Sequence, residues 1–176
     1  TIHSNISRLT KLSFIDLSNN LFEGTLPSSI GQLILLSEIY IQNNRFKGEL
    51  PSSMSSLVNL RHFWANDNGF NGSIPDLRNS KLISLKADHN QFTEIPDLST
   101  ITTWGSTSPF GLDIRFNKFT FEDLIPLRNF PSQYLYLYDP QDSIYIEKMI
   151  YIPQGSNYNI KLYTDPSIPD NNYKWF

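Results

Sequence analysis

The sequence predicts an α/β solenoid, a coil built from short repeats, and three observations lead to this fold class. Five asparagines recur about every 24 residues, and each is followed two positions later by a phenylalanine. Apolar residues alternate before each asparagine, and glycine and proline follow most of the phenylalanines at matching offsets. A fixed period of this length is typical of a protein in which each repeat packs only on its neighbours. The pairs are Asn20–Phe22, Asn44–Phe46, Asn68–Phe70, Asn90–Phe92 and Asn117–Phe119.

The apolar residues before each asparagine predict a short strand with one buried face. Ile15 and Leu17 in the first full repeat alternate with polar residues, as one face of a half-buried strand requires. Because the repeats agree in phase, their strands are expected to stack in parallel into one concave sheet.

The residues after each strand predict an irregular convex side. The amide of Asn20 is suited to satisfy backbone groups of the neighbouring turn, and Phe22 to pack on the phenylalanine of the next repeat. Gly24 allows a bend, and Pro27 favours the extended segment that follows it. The stretch 28–33 then predicts a short 3₁₀ turn.

The complete unit, Leu-x-x-Ile-x-Leu-x-x-Asn-x-Phe-x-Gly-x-Leu-Pro, resembles the leucine-rich repeat family. Its tail, ending in Pro-x-x-Ile-Gly-x-Leu, resembles the plant-type subclass, which some bacterial surface proteins also use. The resemblance covers residues 1–130, about five repeats with a partial first one. It implies a right-handed coil with a parallel concave sheet and short 3₁₀ or irregular convex segments.

The two ends depart from this pattern. Ile6 and Leu9 match Ile30 and Leu33 of the next repeat, so we expect either a fragment or a first repeat that a partner covers. Residues 131–142 predict a capping strand, at 134–138, and a linker. Residues 143–176 resemble the beginning of a bacterial immunoglobulin-like β domain, and the whole resembles large surface or secreted proteins of Bacteroidetes. This implies a small C-terminal all-β extension and an extracellular or cell-surface location.

The composition excludes several classes of function. A formal net charge of −3 does not favour nucleic-acid binding, and the absence of cysteine excludes disulfides, thiolate metal sites and cysteine nucleophiles. Apolar stretches are too short for a transmembrane helix, and no catalytic motif is recognisable. We therefore expect a non-enzymatic protein without cofactor or metal. Asn5 and Asn71 begin glycosylation sequons.

The polar positions of the strands are expected to face solvent on the concave side. Tyr40 and Trp64 are neighbours there, flanked by Glu38 and His62, and large aromatics ringed by polar groups favour a binding surface. Exposed aromatics also occur singly without a binding role. The predicted ligand-binding residues are Glu38, Tyr40, His62, Trp64, Lys86, Asp88, Asp113 and Arg115.

The charged part of this set has a simpler interpretation. Lys86, Asp88, Asp113 and Arg115 are expected to form weak cross-strand ion pairs. His62 and His89 could approach each other across repeats, but the sequence shows no third metal ligand. Adjacent strand residues point to opposite faces or splay apart, so Asp88 and His89 are not expected to form a catalytic dyad.

The leading hypothesis is therefore a recognition module that binds a protein or glycan through its concave face. A structural spacer within a large bacterial adhesin is one alternative. A carbohydrate-binding face on Tyr40 and Trp64 is another. A plant-type receptor ectodomain is a fourth reading, against which the missing cysteine caps and the C-terminal resemblance argue.

Overall fold

The computed structural model describes residues 1–105, 111–131 and 135–136, which all lie within one compact unit, Thr1–Tyr145. The expected immunoglobulin-like segment at 143–176 lies outside the described residues. So do most of residues 131–142, the expected capping strand and linker, and residues 106–110.

A parallel six-stranded sheet, called the concave sheet below, runs through all the repeats. Its strands pair in the order of the repeats, as the common phase of the sequence predicts. They are β1 (Phe14–Asp16), β3 (Glu38–Tyr40), β5 (His62–Trp64), β7 (Ser84–Lys86), β9 (Leu112–Asp113) and β10 (Leu135–Tyr136).

The register places equivalent residues of successive repeats side by side. Ile39 pairs with Ile15 on one side and with Phe63 on the other, and all three are buried. Each of these strands has only three residues, so its central side chain enters the core while the two flanking ones lie on the opposite face. The solenoid predicted from the sequence is thereby confirmed.

A second parallel sheet, which the sequence analysis did not predict, follows the asparagines. It contains β2 (Glu23–Gly24), β4 (Arg45–Glu49), β6 (Gly69–Ser73) and β8 (Gln91–Glu94). Three of these four segments contain glycine, and all contain charged or polar residues, many of which have low strand propensity. These strands form only by pairing with the neighbouring repeat, so the local sequence pattern did not predict them.

The convex side carries the expected 3₁₀ turns. Ser28–Gln32 and Ser52–Ser56 each follow a proline in extended conformation, and Ser4–Arg8 precedes them. Towards the other end, a short α-helix at Phe121–Leu124 continues into a 3₁₀ helix at Ile125–Asn129.

Two ladders occupy the space between the sheets. The rings of Phe22, Phe46, Phe70 and Phe92 stack at centroid distances of 5.9, 5.8 and 6.3 Å. The asparagine amides form the other ladder. Asn44 donates to the carbonyls of Leu17 and Ile41 at 2.8 and 3.1 Å, and its oxygen accepts the N–H of Phe22 at 2.9 Å. Both ladders confirm the roles expected for these residues.

The residue before each of these asparagines has a left-handed backbone. Asn19, Asn43, Asp67, His89 and Phe116 have φ angles between 52° and 56°. Asparagine and aspartate tolerate this conformation, whereas a phenylalanine there is unusual. The repeated left-handed residue turns the chain out of the concave sheet at the same point in every repeat.

Candidate functional site

Three aromatic side chains form a continuous row on the concave sheet, called the aromatic ridge below. Phe14 contacts Tyr40 edge to face at a centroid distance of 5.7 Å, and Tyr40 contacts Trp64 at 4.8 Å. Phe14 is 49% exposed and the other two are half-buried. The register had predicted that Tyr40 and Trp64 are neighbours. It had not predicted the position of Phe14. This residue pairs with Glu38 in the sheet, but its ring contacts Tyr40 diagonally and so adds a third member to the row.

Polar contacts hold the ridge in place. The Tyr40 hydroxyl donates to Oε2 of Glu38 at 2.8 Å, and the Trp64 indole N–H donates to Oγ of Ser84 at 3.1 Å. Burial, followed by the hydrogen bond to Glu38, raises the pKa of Tyr40 above its ordinary value. The phenol therefore stays protonated and remains a donor across the physiological range.

Lys86 ends the ridge on the side of the later repeats. Its Nζ lies 4.1 Å from the centroid of the Trp64 ring, which is a cation–π distance. Lys86 pairs with Trp64 in the sheet register, so strand pairing itself places the ammonium over the indole. The row Phe14–Tyr40–Trp64–Lys86 thus crosses four strands.

Not every position expected to face solvent does so. Ser84 is fully buried and Asp88 is only 8% exposed. The indole of Trp64 lies against the Ser84 hydroxyl, and the His89 ring lies against the Asp88 carboxylate. The expectation of an open surface was wrong at these positions, because large neighbouring side chains cover small ones.

The charged residues have individual partners. Arg115 donates to both oxygens of Asp113, with Nε–Oδ1 and Nη2–Oδ2 distances of 3.0 and 2.6 Å, so this pair lies within one repeat.

Burial raises the pKa of Asp88, the His89 hydrogen bond lowers it, and the charge of Asp113 raises it further. Together these effects raise the pKa of Asp88 above its ordinary value.

His62 lies beside the ridge and is half-buried. Burial lowers its pKa, which the charge of Glu38 partly opposes and that of Arg61 reinforces. Its Nδ1 is buried and has no hydrogen-bond partner among the described residues. The ring is therefore neutral at pH 7.

His89 does pair with its neighbour, contrary to the expectation that the two splay apart. Its Nδ1 lies 2.9 Å from Oδ2 of Asp88 and 4.0 Å from Oδ1 of Asp67. The left-handed backbone of His89 ends the strand alternation, so its side chain returns alongside Asp88. The sequence carries no signal for this pairing, because it depends on the left-handed backbone of His89.

No helix in the described part of the chain is long and apolar enough to cross a membrane. The two glycosylation sequons begin at exposed residues, Asn5 and Asn71.

Comparisons with known proteins agree with the fold. The leucine-rich repeat profile matches residues 11–33 and 35–57. No curated protein matches the sequence. Several solved structures are similar to the chain, and they are ectodomains or complexes of plant receptors.

Three of these structures illustrate the similarity. The PEPR1–AtPEP1 structure shares 30% identity over 68% of this chain, with a TM-score of 0.61. The leucine-rich-repeat ectodomain of the receptor kinase SOBIR1 from Arabidopsis thaliana shares 29% over 58%, with a TM-score of 0.56. The Arabidopsis receptor kinase HAESA, in complex with the peptide hormone IDA and the co-receptor SERK1, shares 34% over 65%, with a TM-score of 0.58. This chain spans 17%, 58% and 19% of those chains, respectively.

Proposed function

We propose that this leucine-rich-repeat segment is a non-catalytic recognition module that binds a peptide or protein segment across its concave sheet. Its ligand would lie along the aromatic ridge of Phe14, Tyr40 and Trp64, next to Lys86. The module would act in an extracellular or cell-surface protein. Similarity to receptor ectodomains supports that location.

The observation that carries the proposal is the ridge itself. Three aromatic side chains from three successive repeats lie in one row, in which Tyr40 contacts Phe14 and Trp64 at centroid distances of 5.7 and 4.8 Å. Tyrosine and tryptophan bury a large area at a small cost in conformational entropy, and they are enriched among the residues that dominate binding energy. A row of them is consistent with an extended ligand.

Rigidity supports the same role. The Tyr40 hydroxyl and the Trp64 indole are each held by a hydrogen bond to a neighbouring side chain, Glu38 or Ser84. Side chains ordered before binding lose little entropy when a ligand arrives. The HAESA structure, which contains a peptide hormone, favours a peptide ligand over a glycan. The origin of the chain, in a bacterial surface protein or a plant receptor, does not alter this mechanism.

A binding selection would test the proposal. The 176-residue chain is immobilised and used to select from a displayed random peptide library, and the same chain is applied to a glycan array. We expect selected peptides whose affinity falls at least about tenfold with Tyr40→Ala and with Trp64→Ala, since loss of a central aromatic contact costs about 2 kcal/mol or more.

Leu21→Ala is the matched control, because it also removes a large exposed apolar side chain but lies off the ridge. It should leave the affinity unchanged. Array signal that disappears in Trp64→Ala would instead assign a carbohydrate-binding face. If selected peptides bind all variants equally, the ridge is not the binding surface and the spacer hypothesis gains support.

A further inference from the structure

We propose that Asp67, Asp88 and His89 form a binding site for a divalent transition-metal ion, with Zn²⁺ as the probe. The three residues lie where two neighbouring repeats leave the concave sheet, and we call them the strand-exit cluster. This proposal goes beyond ligand recognition on the ridge, and it replaces the sequence-based expectation that the chain holds no metal.

The geometry of the donor atoms supports the site. One nitrogen, Nδ1 of His89, faces a carboxylate oxygen of Asp88 at 2.9 Å and one of Asp67 at 4.0 Å. All three potential ligand atoms lie within 4.8 Å of one another, the one such group in the part of the chain that the structure describes. Small side-chain rotations would place each within about 2.0–2.2 Å of a common ion.

The backbone under the cluster is tightly held. The N–H of Asp67 donates to the carbonyl of Asp88 at 3.1 Å, and that of Asn68 donates to the carbonyl of His89 at 3.2 Å. Asp67 and His89 share the left-handed conformation, with φ angles of 54° and 52°. The two repeats therefore present their side chains in a fixed relation.

A neighbouring amide orients one ligand. Nδ2 of Asn66 donates to Oδ2 of Asp67 at 2.6 Å, while the other carboxylate oxygen faces His89. Such outer hydrogen bonds commonly orient metal ligands.

The donor set indicates the class of ion. One imidazole nitrogen and two carboxylate oxygens suit Zn²⁺ and related transition ions, with water in the remaining position. Ca²⁺ and Mg²⁺ prefer shells of oxygen alone. Asp88 is buried, and a buried carboxylate is stabilised by a cation in direct contact. When the ion binds, His89 would be neutral and carry its proton on Nε2.

The equivalent positions of the earlier repeats lack this chemistry. Asn19 and Asn43 hold the same left-handed position in two earlier repeats that Asp67 and His89 hold in the following two. Nδ2 of Asn43 donates a hydrogen bond to Oδ1 of Asn19 at 3.0 Å. The backbone thus accepts asparagine at this point. Replacement by asparagine at the cluster is expected to preserve the fold while it removes the metal ligands.

Zn²⁺ binding to the 176-residue chain tests the site. Isothermal titration calorimetry and metal analysis after dialysis are expected to show one ion per chain. The dissociation constant should rise at least about tenfold in His89→Asn and in Asp67→Asn. In an NMR titration, the His89 imidazole signals should shift on addition of Zn²⁺. An equal concentration of Ca²⁺ should not compete.

His3→Asn is the matched control, because it makes the same replacement at a histidine outside the cluster. It should bind Zn²⁺ like the original chain, and circular dichroism should show all variants folded. The proposal is overturned if Zn²⁺ does not saturate at one ion per chain, or if His89→Asn binds it equally well. Competition by Ca²⁺ at equal concentration would overturn the assigned class of ion.

Discussion

The amide oxygen of Asn90 accepts the backbone N–H of Phe70 at 2.9 Å, which ties one repeat to the start of the second-sheet strand in the repeat before it. The amide nitrogen of Asn90 also donates to the carbonyls of Ala65 and Ala87, at 3.0 and 3.3 Å. One buried side chain therefore satisfies backbone groups in both repeats. This explains why the same residue type recurs at each strand exit.

Asn90→Ala is expected to lower the free energy of unfolding by about 3 kcal/mol, because it leaves several buried backbone groups without partners. Asn20→Ala is the matched control. Asn20 holds the same position in an earlier repeat but is exposed, so its loss should cost less than about 1 kcal/mol. Urea unfolding followed by circular dichroism measures both. Equal losses would show that burial of the amide is not what makes it stabilising.

Phe70→Ala should lower the free energy of unfolding by about 4 kcal/mol, since it removes a fully buried ring that stacks on two others. Phe22→Ala serves as the comparison, because that ring is only half-buried and stacks on Phe46. A smaller loss is expected there. The same unfolding measurement decides, and a larger loss for Phe22 would contradict the stacked-core interpretation.

Gly31→Ala should destabilise the chain by about 1–3 kcal/mol through overpacking. A Cβ atom at Gly31 would collide with the backbone carbonyl of Ser53, which belongs to the next convex turn. The equivalent residue one repeat later, Ser55, is exposed and already carries a side chain. Ser55→Ala is therefore expected to be nearly neutral. Thermal unfolding compares the two, and a neutral Gly31→Ala would mean that the turns separate easily.

His62 should make the free energy of unfolding depend on pH below its ordinary pKa of 6.5. Burial lowers the pKa in the folded chain, so between the folded and ordinary values the unfolded chain binds more protons. Stability from this group is present above pH 6.5 and is lost as the pH falls through the folded pKa.

His62→Gln should remove that part of the pH dependence. Urea unfolding between pH 4.5 and 7.5 measures the free energy of unfolding of both chains. The advantage of the original chain over His62→Gln should become smaller as the pH falls. Neighbouring charges, Glu38 and Arg61, remain in both chains and so cancel in the comparison. A difference that stays constant over this range would contradict the lowered pKa.

The sequence predicted the solenoid and the Tyr40–Trp64 pair of the ridge, but not Phe14, because the first two follow from a strict period. Once Asn20, Asn44 and Asn68 are aligned, Tyr40 and Trp64 are necessarily neighbours on parallel strands. The same alignment could not predict the burial of Ser84. The burial of Ser84 depends on the side-chain rotamer of Trp64, which places the indole against the Ser84 hydroxyl. The repeat period does not predict a rotamer.

The amino-acid sequence by itself determined the fold class, the phase of the repeats and the two ladders, because these arise from residue types that recur at fixed spacing. Only the tertiary structure decided the second sheet and the strand-exit cluster. Both depend on contacts between repeats and on a left-handed backbone at residues such as Asp67 and His89. Steric and hydrogen-bonding constraints from the neighbouring repeat select that conformation, and the identity of either residue alone does not require it.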